Sequence, residues 1–273
     1  MIVDGKAISA EILARTKVRV DALGREVVVR AISVAPSAAT ESYLRIKEHQ
    51  ARAAGMYLEV VRMESDESAK DVIHKITLGG SDAIIVQLPL PSHITTQEVC
   101  DAIPVAQDAD VLSTAARKKF EAAEIDALLP PVVGAIAEIF ERYNVDLEGK
   151  KAVVIGRGWL VGAPAATWLM QQGARVTTLE LGANLSQELQ DADMIISGAG
   201  AAHIIKPYMI KDDVVLIDAG TSESSGVIAG DADPACATKC AVFTPVPGGV
   251  GPIVVAKLFE NAMTLAERED LTR

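Results

Sequence analysis

Tyr43-Leu44-Arg45-Ile46-Lys47 sets a phenol and an amine four positions apart, so on a helix the two side chains share a face. An amine so placed can move protons if its surroundings lower its pKa, and the phenol ring offers a flat surface for stacking. Gln87 closes the apolar run DAIIVQL at the head of VQLPLP, where the prolines stiffen the exit. Its neutral carboxamide can donate and accept at once. Asp108 and Asp110, in QDADV, could bind a ligand's amino groups, cap a helix or simply be solvated. Taken alone, Tyr43 and Lys47 also read as a surface lysine beside a half-buried tyrosine.

A second group of residues lies further along. The run KKAVVI ends in Gly156-Arg157-Gly158-Trp159-Leu160-Val161-Gly162, and an alanine-rich helical stretch follows. Glycines between a strand and a helix allow a tight turn, close approach of a pyrophosphate and intimate helix–strand packing. The spacing G-x-G-x-x-x-G is one residue longer than the common dinucleotide fingerprint, yet the strand before it and the helix after it match. Glu180 ends the next strand, 24 residues beyond Gly156, where a carboxylate can accept from the adenosine ribose hydroxyls. It would repel a 2′-phosphate, which favours NAD over NADP unless Arg157 or Arg175 neutralises it. ISGAG and DAGTS, the latter containing Thr221, end later strands, and ligands bind at the carboxyl ends of such strands. Short-chain dehydrogenases also use a Tyr-x-x-x-Lys pair. There it follows the Gly-rich loop, whereas here it precedes that loop by more than a hundred residues.

The third feature is TPVPGGVGP, Thr244 to Pro252, with three prolines and three glycines just before an apolar helix. It is at once stiff and sterically bare. It reads either as a loop that ends a strand or as a preshaped wall for a flat ligand.

The elements that must position these groups alternate between β-rich and amphipathic stretches, the pattern of parallel sheets wrapped by helices. Strands are predicted at 27–35, 57–63 and 82–88, with helices near 5–23, 40–54, 67–78 and 95–103. A polar stretch from Pro104 to Asp126 interrupts the rhythm as a possible hinge. Pro130 and Pro131 then open a helix running to about Tyr143, and a βαβ series restarts at KKAVVIGRG. The expected architecture is α/β: two α/β domains around a cleft, the second a Rossmann-like dinucleotide-binding domain with a parallel sheet. Residues 1–125 form the first domain, completed by a C-terminal helix at 256–273, and residues 126–255 form the second.

With 273 residues, 49% of them apolar, the chain has ample material for a core. A net charge of −11 argues against nucleic-acid or anionic-membrane partners. Cys100, Cys236 and Cys240 make no disulfide framework, so a reducing compartment is expected. Cys236 and Cys240 have no nearby His or Cys to complete a tetrahedral metal set, and no metal is expected. The N-terminus MIVDGKAISAEI lacks the basic start and apolar run of a signal peptide, and the protein reads as cytoplasmic.

DGKAIS, Tyr43-x-x-x-Lys47, VQLPLP, DAD, GRGxxVGxP and TPVPGGVGP occur in an order that resembles the bifunctional methylenetetrahydrofolate dehydrogenase/cyclohydrolase family over nearly the whole chain. The resemblance implies oxidation of methylenetetrahydrofolate with NAD(P) and hydrolysis of the methenyl product to formyltetrahydrofolate. It makes Lys47 the key catalytic residue, supported by Gln87, with Tyr43 lining the folate site and Asp110 gripping the pterin end. Pro247, Gly248, Gly249, Gly251 and Pro252 would border the same cleft. Gly156, Arg157, Gly158, Val161, Gly162, Glu180 and Thr221 would bind the cofactor, and a homodimer through the dinucleotide domains is implied.

This chain departs from the family's pattern at several positions. The usual GRS is GRG, so Gly158 lacks a hydroxyl toward the cofactor phosphates. Glu180-Leu181-Gly182 replaces a His-Ser-Arg/Lys-like run that holds a 2′-phosphate. Both changes point away from NADP. DVDG becomes DADV, placing Val111 where a glycine is usual, and Pro-Cys-Thr-Pro becomes Pro130-Pro131-Val132-Val133. Val254 stands for a threonine, and His49 for a second lysine. A cyclohydrolase-only enzyme and a non-catalytic folate- or nucleotide-binding relative are the alternatives these departures leave open.

Overall fold

The computed structural model describes residues 1–224 and 227–272; Arg273, the last residue of the expected C-terminal helix, lies outside them. The first half of the chain runs α1 (Gly5–Leu23), β1 (Val28–Val34), α2 (Ala38–Ala53), β2 (Tyr57–Met63), α3 (Ala69–Thr77), β3 (Ala83–Val86), α4 (Thr96–Asp101) and α5 (Thr114–Glu121). The second runs α6 (Pro131–Arg142), β4 (Lys151–Ile155), α7 (Gly162–Gln171), β5 (Arg175–Leu179), α8 (Leu185–Glu188) and β6 (Met194–Ser197). It continues with β7 (Val214–Asp218), β8 (Ser222–Ser224), β9 (Val227–Ala229), β10 (Cys240–Phe243) and α9 (Val250–Thr272). The chain divides into two compact units, one of residues 10–131 with 255–273 and the other of residues 1–9 with 132–254.

The first unit holds a parallel sheet in the order β2-β1-β3. Strands covered on both faces read as continuous apolar runs rather than alternating ones. Accordingly the central β1 is buried from Val29 to Val34 and β3 from Ala83 to Val86, whereas β2, at the other edge, is mostly half exposed. α2 starts where Ser37 accepts from Thr40 N, and its last turn leads into Gly55 at φ +76°, the usual cap-and-stop pattern. α3 begins with a capping box in which Ser68 and Asp71 each serve the other's backbone. Within this unit α9 is tied to α1 by Arg15–Glu260 at 2.7 Å, Arg19–Glu267 at 2.7 Å and Arg25–Asp270 at 2.8 Å.

The polar stretch after Pro104 is not an open hinge. It folds as a 3-10 turn at Val105–Gln107 and as α5, and it buries Asp108, Ala109, Leu112, Ser113 and Phe120. Its polarity is satisfied internally, because the Asp108 carboxylate accepts from Leu112 N at 3.0 Å and Ser113 N at 2.8 Å. Ser113 in turn caps α5 by accepting from Ala116 N.

The second unit holds a parallel sheet in the order β10-β7-β6-β4-β5. The chain moves outward from β4 to β5 and then returns to β6 on the other side, so the strand order reverses between β4 and β6. Crevices at such reversals, outside the carboxyl ends of the strands, are where open α/β sheets take their ligands. β8 and β9 form a small antiparallel pair. Phe140 on α6 meets Trp168 on α7 with ring centroids 6.0 Å apart.

Residues 1–9 complete this unit. Ile2 bridges Phe243 in parallel, with Val3 N donating to Phe243 O and Phe243 N to Met1 O, both at 2.9 Å. Gly5 N then donates to Gly248 O at 3.0 Å, and a Cβ on Gly5 would fall 1.8 Å from Gly249 O. DGKAIS is thus the backing of the PGGVGP loop, and only glycine permits that approach. Gly5→Ala is expected to destabilise the protein by about 1–3 kcal/mol, the cost of overpacking. Urea denaturation beside Lys6→Ala, a change at the exposed neighbouring position, checks this; equal midpoints for the two variants would refute it.

Candidate active site

In the first unit the four residues expected to do chemistry come together. Lys47 is 5% exposed and its Nζ donates to Gln87 Oε1 at 2.9 Å. Gln87 is itself buried, and its Nε2 donates to Leu88 O at 2.8 Å, which fixes which end of the amide faces the lysine. Gln87 N donates to Ile32 O at 2.8 Å, so the carboxamide projects from the end of a strand ladder, a rigid base. Lys47 Nζ lies 5.3 Å from the centroid of the Tyr43 ring, within the range of cation–π attraction.

Burial lowers the Lys47 pKa from its ordinary value, and the negative charge of Asp110 opposes that shift. Burial likewise pushes Asp110 up, against the pull of Lys47 and with a further push from Asp108. The Tyr43 hydroxyl rises to about 12, first through burial and then through Asp110, and so stays protonated through the neutral range. The site therefore holds an amine that can lose its proton more readily than a solvated lysine, faced by a carboxylate, beside a protonated aromatic wall.

Asp110 sits on a tightly wound loop. Val111, next to it, holds φ +57° while only 3% exposed. A left-handed backbone is a strained conformation for a β-branched residue and an easy one for glycine. The departure from DxDG thus retains the turn but gives it a buried isopropyl group. Asn261, on α9, donates from Nδ2 to Ala109 O and to Leu129 O, each at 2.9 Å. Sequence reasoning did not find this residue, which lies 152 positions from Ala109 in a helix whose pattern reads as ordinary core.

In the second unit Gly156 follows β4 at φ +93°, and a Cβ there would lie 2.8 Å from Gly198 O. A Cβ on Gly162 would lie 1.9 Å from Gly156 O. These two glycines let the first turn of α7, the end of β4 and the end of β6 close on one another. Gly158 meets nothing within 4 Å and leaves open room above the turn. α7 begins after Val161, which supplies no side-chain cap. Ala163 N donates to Gly158 O at 3.0 Å and Pro164 has no N–H, so the Gly162 N–H and the positive end of the helix dipole are what its first turn offers an anion. An open glycine turn, an uncapped helix N-terminus and a strand-order reversal together fit the pyrophosphate of a dinucleotide.

Glu180 directly follows β5, and Arg157 donates from Nη1 to its Oε1 at 3.2 Å with both side chains largely exposed. Arg175 instead donates from Nε to Gly149 O. Glu180 is therefore accompanied by Arg157 and not by Arg175. Thr221 O lies 3.6 Å from the Cβ position of Gly200, so the turns after β6 and β7 adjoin.

Two buried aspartates hold these turns in shape. Asp231 is 0% exposed and accepts from Ser197 Oγ at 2.6 Å, Ala199 N at 2.8 Å and Ala201 N at 2.7 Å. Asp218 accepts from Ala232 N at 2.8 Å and Gly220 N at 3.0 Å, and burial raises its pKa to about 6. Asp218 N donates to Thr244 Oγ1 at 2.6 Å, joining β7 to the stem of the PGGVGP loop. In that loop Gly248 adopts φ +104° and Gly249 N donates to Pro245 O at 2.8 Å. Among the described residues no group of His, Cys, Asp and Glu could hold a metal, and no helix is long and apolar enough to cross a membrane.

The second unit thus defines a Rossmann-like NAD(P)-binding domain, joined in one chain to an α/β unit with a buried lysine centre. Family models agree with both halves: the tetrahydrofolate dehydrogenase/cyclohydrolase catalytic domain matches residues 3–110 and the NAD(P)-binding domain of the same family matches residues 130–270. The bifunctional protein FolD of Lactococcus lactis subsp. cremoris is 35% identical over 278 residues, covering 98% of this chain and 97% of its own. The crystal structure of the bifunctional FolD methylenetetrahydrofolate dehydrogenase/cyclohydrolase from Campylobacter jejuni superposes with a TM-score of 0.94 at 30% identity, covering 98% of this chain and 99% of its own. The Trypanosoma brucei FolD, complexed with NADP cofactor and inhibitor, gives 0.94 at 28% identity, covering 99% and 98%. The chain belongs to the tetrahydrofolate dehydrogenase/cyclohydrolase family.

Proposed function

We propose that Lys47 is the proton-handling residue of a bifunctional enzyme that oxidises methylenetetrahydrofolate and hydrolyses the methenyl product to formyltetrahydrofolate. The observation that carries this reading is the buried Lys47 amine, held by Gln87, beside the Tyr43 ring and opposed by Asp110, in a chain that belongs to the family throughout. A bound nicotinamide dinucleotide supplies the hydride acceptor. In the hydrolytic step a water adds to the methenyl carbon and one of its protons passes to the Lys47 amine. One C–N bond then breaks as the remaining hydroxyl proton passes to the departing ring nitrogen, leaving the C=O of the formyl product. Gln87 holds the amine in place. Asp110 accepts from the amino-pyrimidine edge of the pterin, and Tyr43 stacks on its face. Pro247, Gly248, Gly249, Gly251 and Pro252 form a wall of the folate site. A homodimer in the cytoplasm belongs to the same reading.

The cofactor we favour is NAD. Gly156, Arg157, Gly158, Val161 and Gly162 cradle the pyrophosphate, Thr221 lies in an adjoining turn, and Glu180 accepts from the ribose hydroxyls. The Arg157–Glu180 pair is surface-exposed and adds little to stability, so its electrostatics are free to select a ligand. A 2′-phosphate would have to displace the Glu180 carboxylate from Arg157. Glu180→Ser removes that competitor and is expected to raise the NADP:NAD ratio of kcat/KM by about tenfold or more. An unchanged ratio would show that Glu180 does not face the ribose. Parallel absorbance assays with NAD and NADP on methylenetetrahydrofolate, and on supplied methenyltetrahydrofolate without cofactor, test the function itself. Hydrolysis without reduction of either cofactor would identify a cyclohydrolase-only enzyme, and tight binding without turnover a non-catalytic relative.

A further inference from the structure

We propose that Asn261 is a positioning residue for the folate reaction, its carboxamide fixing the peptide that aims Asp110. This rests on the reading of Asp110 as the pterin-gripping carboxylate. Asn261 is 9% exposed, and both acceptors of its amide nitrogen are backbone carbonyls from distant parts of the same unit, Ala109 O and Leu129 O at 2.9 Å each. The two N–H bonds of one amide are thereby used. The Ala109 carbonyl and the Asp110 N–H belong to a single planar peptide, so holding that oxygen fixes the plane from which the Asp110 side chain departs.

The rest of the loop shows why such a tether is needed. On one side the Asp108 carboxylate gathers Leu112 N and Ser113 N, and Val111 stays left-handed at φ +57°. Against the same loop lies a cavity of about 500 Å³, lined among others by Asp108, Val111, Leu128 and Leu265. On that side the loop has open space beside it, so hydrogen bonds add to the packing of its buried residues in holding it. The neighbours of Asn261 on α9, including Phe259, Ala262, Met263 and Leu265, are buried and apolar. An asparagine in such a helix has poorer propensity than leucine and a polar group to satisfy, a cost that packing alone gives no reason to bear. A carboxylate that must meet a flat heterocycle with directed hydrogen bonds tolerates little wandering.

The test is steady-state kinetics of the full-length enzyme with methylenetetrahydrofolate and NAD varied separately. Asn261→Leu leaves two carbonyls without their donor and is expected to raise KM for the folate by about tenfold, with KM for NAD within about twofold of the wild type. Glu267→Gln, which weakens the Arg19–Glu267 pair on the same helix, is the control for a general loosening of α9 and is expected to leave both KM values unchanged. Asn261→Ser, which keeps one short donor, is expected to fall between, and it carries the test if Asn261→Leu does not fold. The proposal is overturned if the Asn261 variant keeps the wild-type folate KM, if both KM values rise together, or if Glu267→Gln produces the same change. Asp110→Asn separates the two layers. If it too leaves the folate KM unchanged, the reading of Asp110 fails with the proposal. If it raises that KM while the Asn261 variants do not, the tether alone fails.

Discussion

Lys47→Met is expected to lose hydrolysis of methenyltetrahydrofolate by about 10²–10⁴-fold, the span that a positioned proton-transfer group contributes, while the protein remains folded. Methionine is close to lysine in length and suits the enclosed site, where Lys47 is 5% exposed. The substitution removes an amine whose charged form burial already disfavours. It leaves Gln87 Oε1 without its donor, a loss of about 1–3 kcal/mol for a buried acceptor, which relief of the buried amine partly offsets. Hydride departure from the methylene carbon moves no proton, so the dehydrogenase step is expected to suffer less, and methenyltetrahydrofolate should accumulate. The pH profile gives the sign. Burial lowers the Lys47 pKa below its ordinary 10.5, against the opposing charge of Asp110. The amine therefore gains its neutral, proton-accepting form as pH rises toward that lowered value, and wild-type hydrolysis should climb over the same interval. Tyr43, at about 12, does not titrate there. Lys47→Met should abolish this limb, and hydrolysis that persists with an unchanged profile would remove Lys47 from its assigned role.

Gly162→Ala is expected to do the converse. Its new Cβ would stand 1.9 Å from Gly156 O, a separation no pair of non-bonded atoms sustains, so the first turn of α7 must move away from the end of β4. The Gly162 N–H and the positive end of the helix dipole would then leave the place beside the glycine turn where we propose the pyrophosphate binds. Dehydrogenase kcat/KM should fall by about 100-fold or more through KM for the dinucleotide, with about 1–3 kcal/mol of destabilisation from overpacking. Lys47, Gln87, Tyr43 and Asp110 lie in the other compact unit, so hydrolysis of supplied methenyltetrahydrofolate should survive. Dinucleotide affinity equal to the wild type, measured by fluorescence or calorimetry, would contradict the assignment of the glycine turn. Gly158→Ser is the informative neighbour, because that position opens onto free space and accepts a hydroxyl without displacing anything.

The parts of this protein that were legible in the sequence were those set by local pattern. Strands buried on both faces, such as β3, announce themselves as apolar runs, and β1, β2 and β3 fall within a residue or two of the expected ranges. The Tyr43–Lys47 spacing could be read because a helix puts i and i+4 on one face, and the glycine turn because its flanking strand and helix are local too. What escaped was whatever depended on distant partners. Pro104 to Asp126 read as a hinge because its polarity was visible, while the backbone donors that satisfy Asp108 were not. Asn261 and Asp231 carry no spacing signal, since each serves backbone groups brought near only by the finished fold, and nothing local tells that Asp218, in DAGTS, also holds Ala232 N. Gly5 looked like part of an ordinary helix start, and its requirement for a bare Cα comes from Gly248 and Gly249, more than two hundred residues away.

Coupling of the two activities is tested by a single incubation of the wild-type protein with methylenetetrahydrofolate and NAD, in which reduced cofactor, methenyltetrahydrofolate and formyltetrahydrofolate are each quantified over time. Formyltetrahydrofolate is expected to rise in step with reduced cofactor, and Lys47→Met under the same conditions to yield reduced cofactor with methenyltetrahydrofolate in place of the formyl product. Formation of neither reduced cofactor nor formyltetrahydrofolate by the wild-type protein, with NADP in place of NAD giving the same result, would contradict the bifunctional assignment.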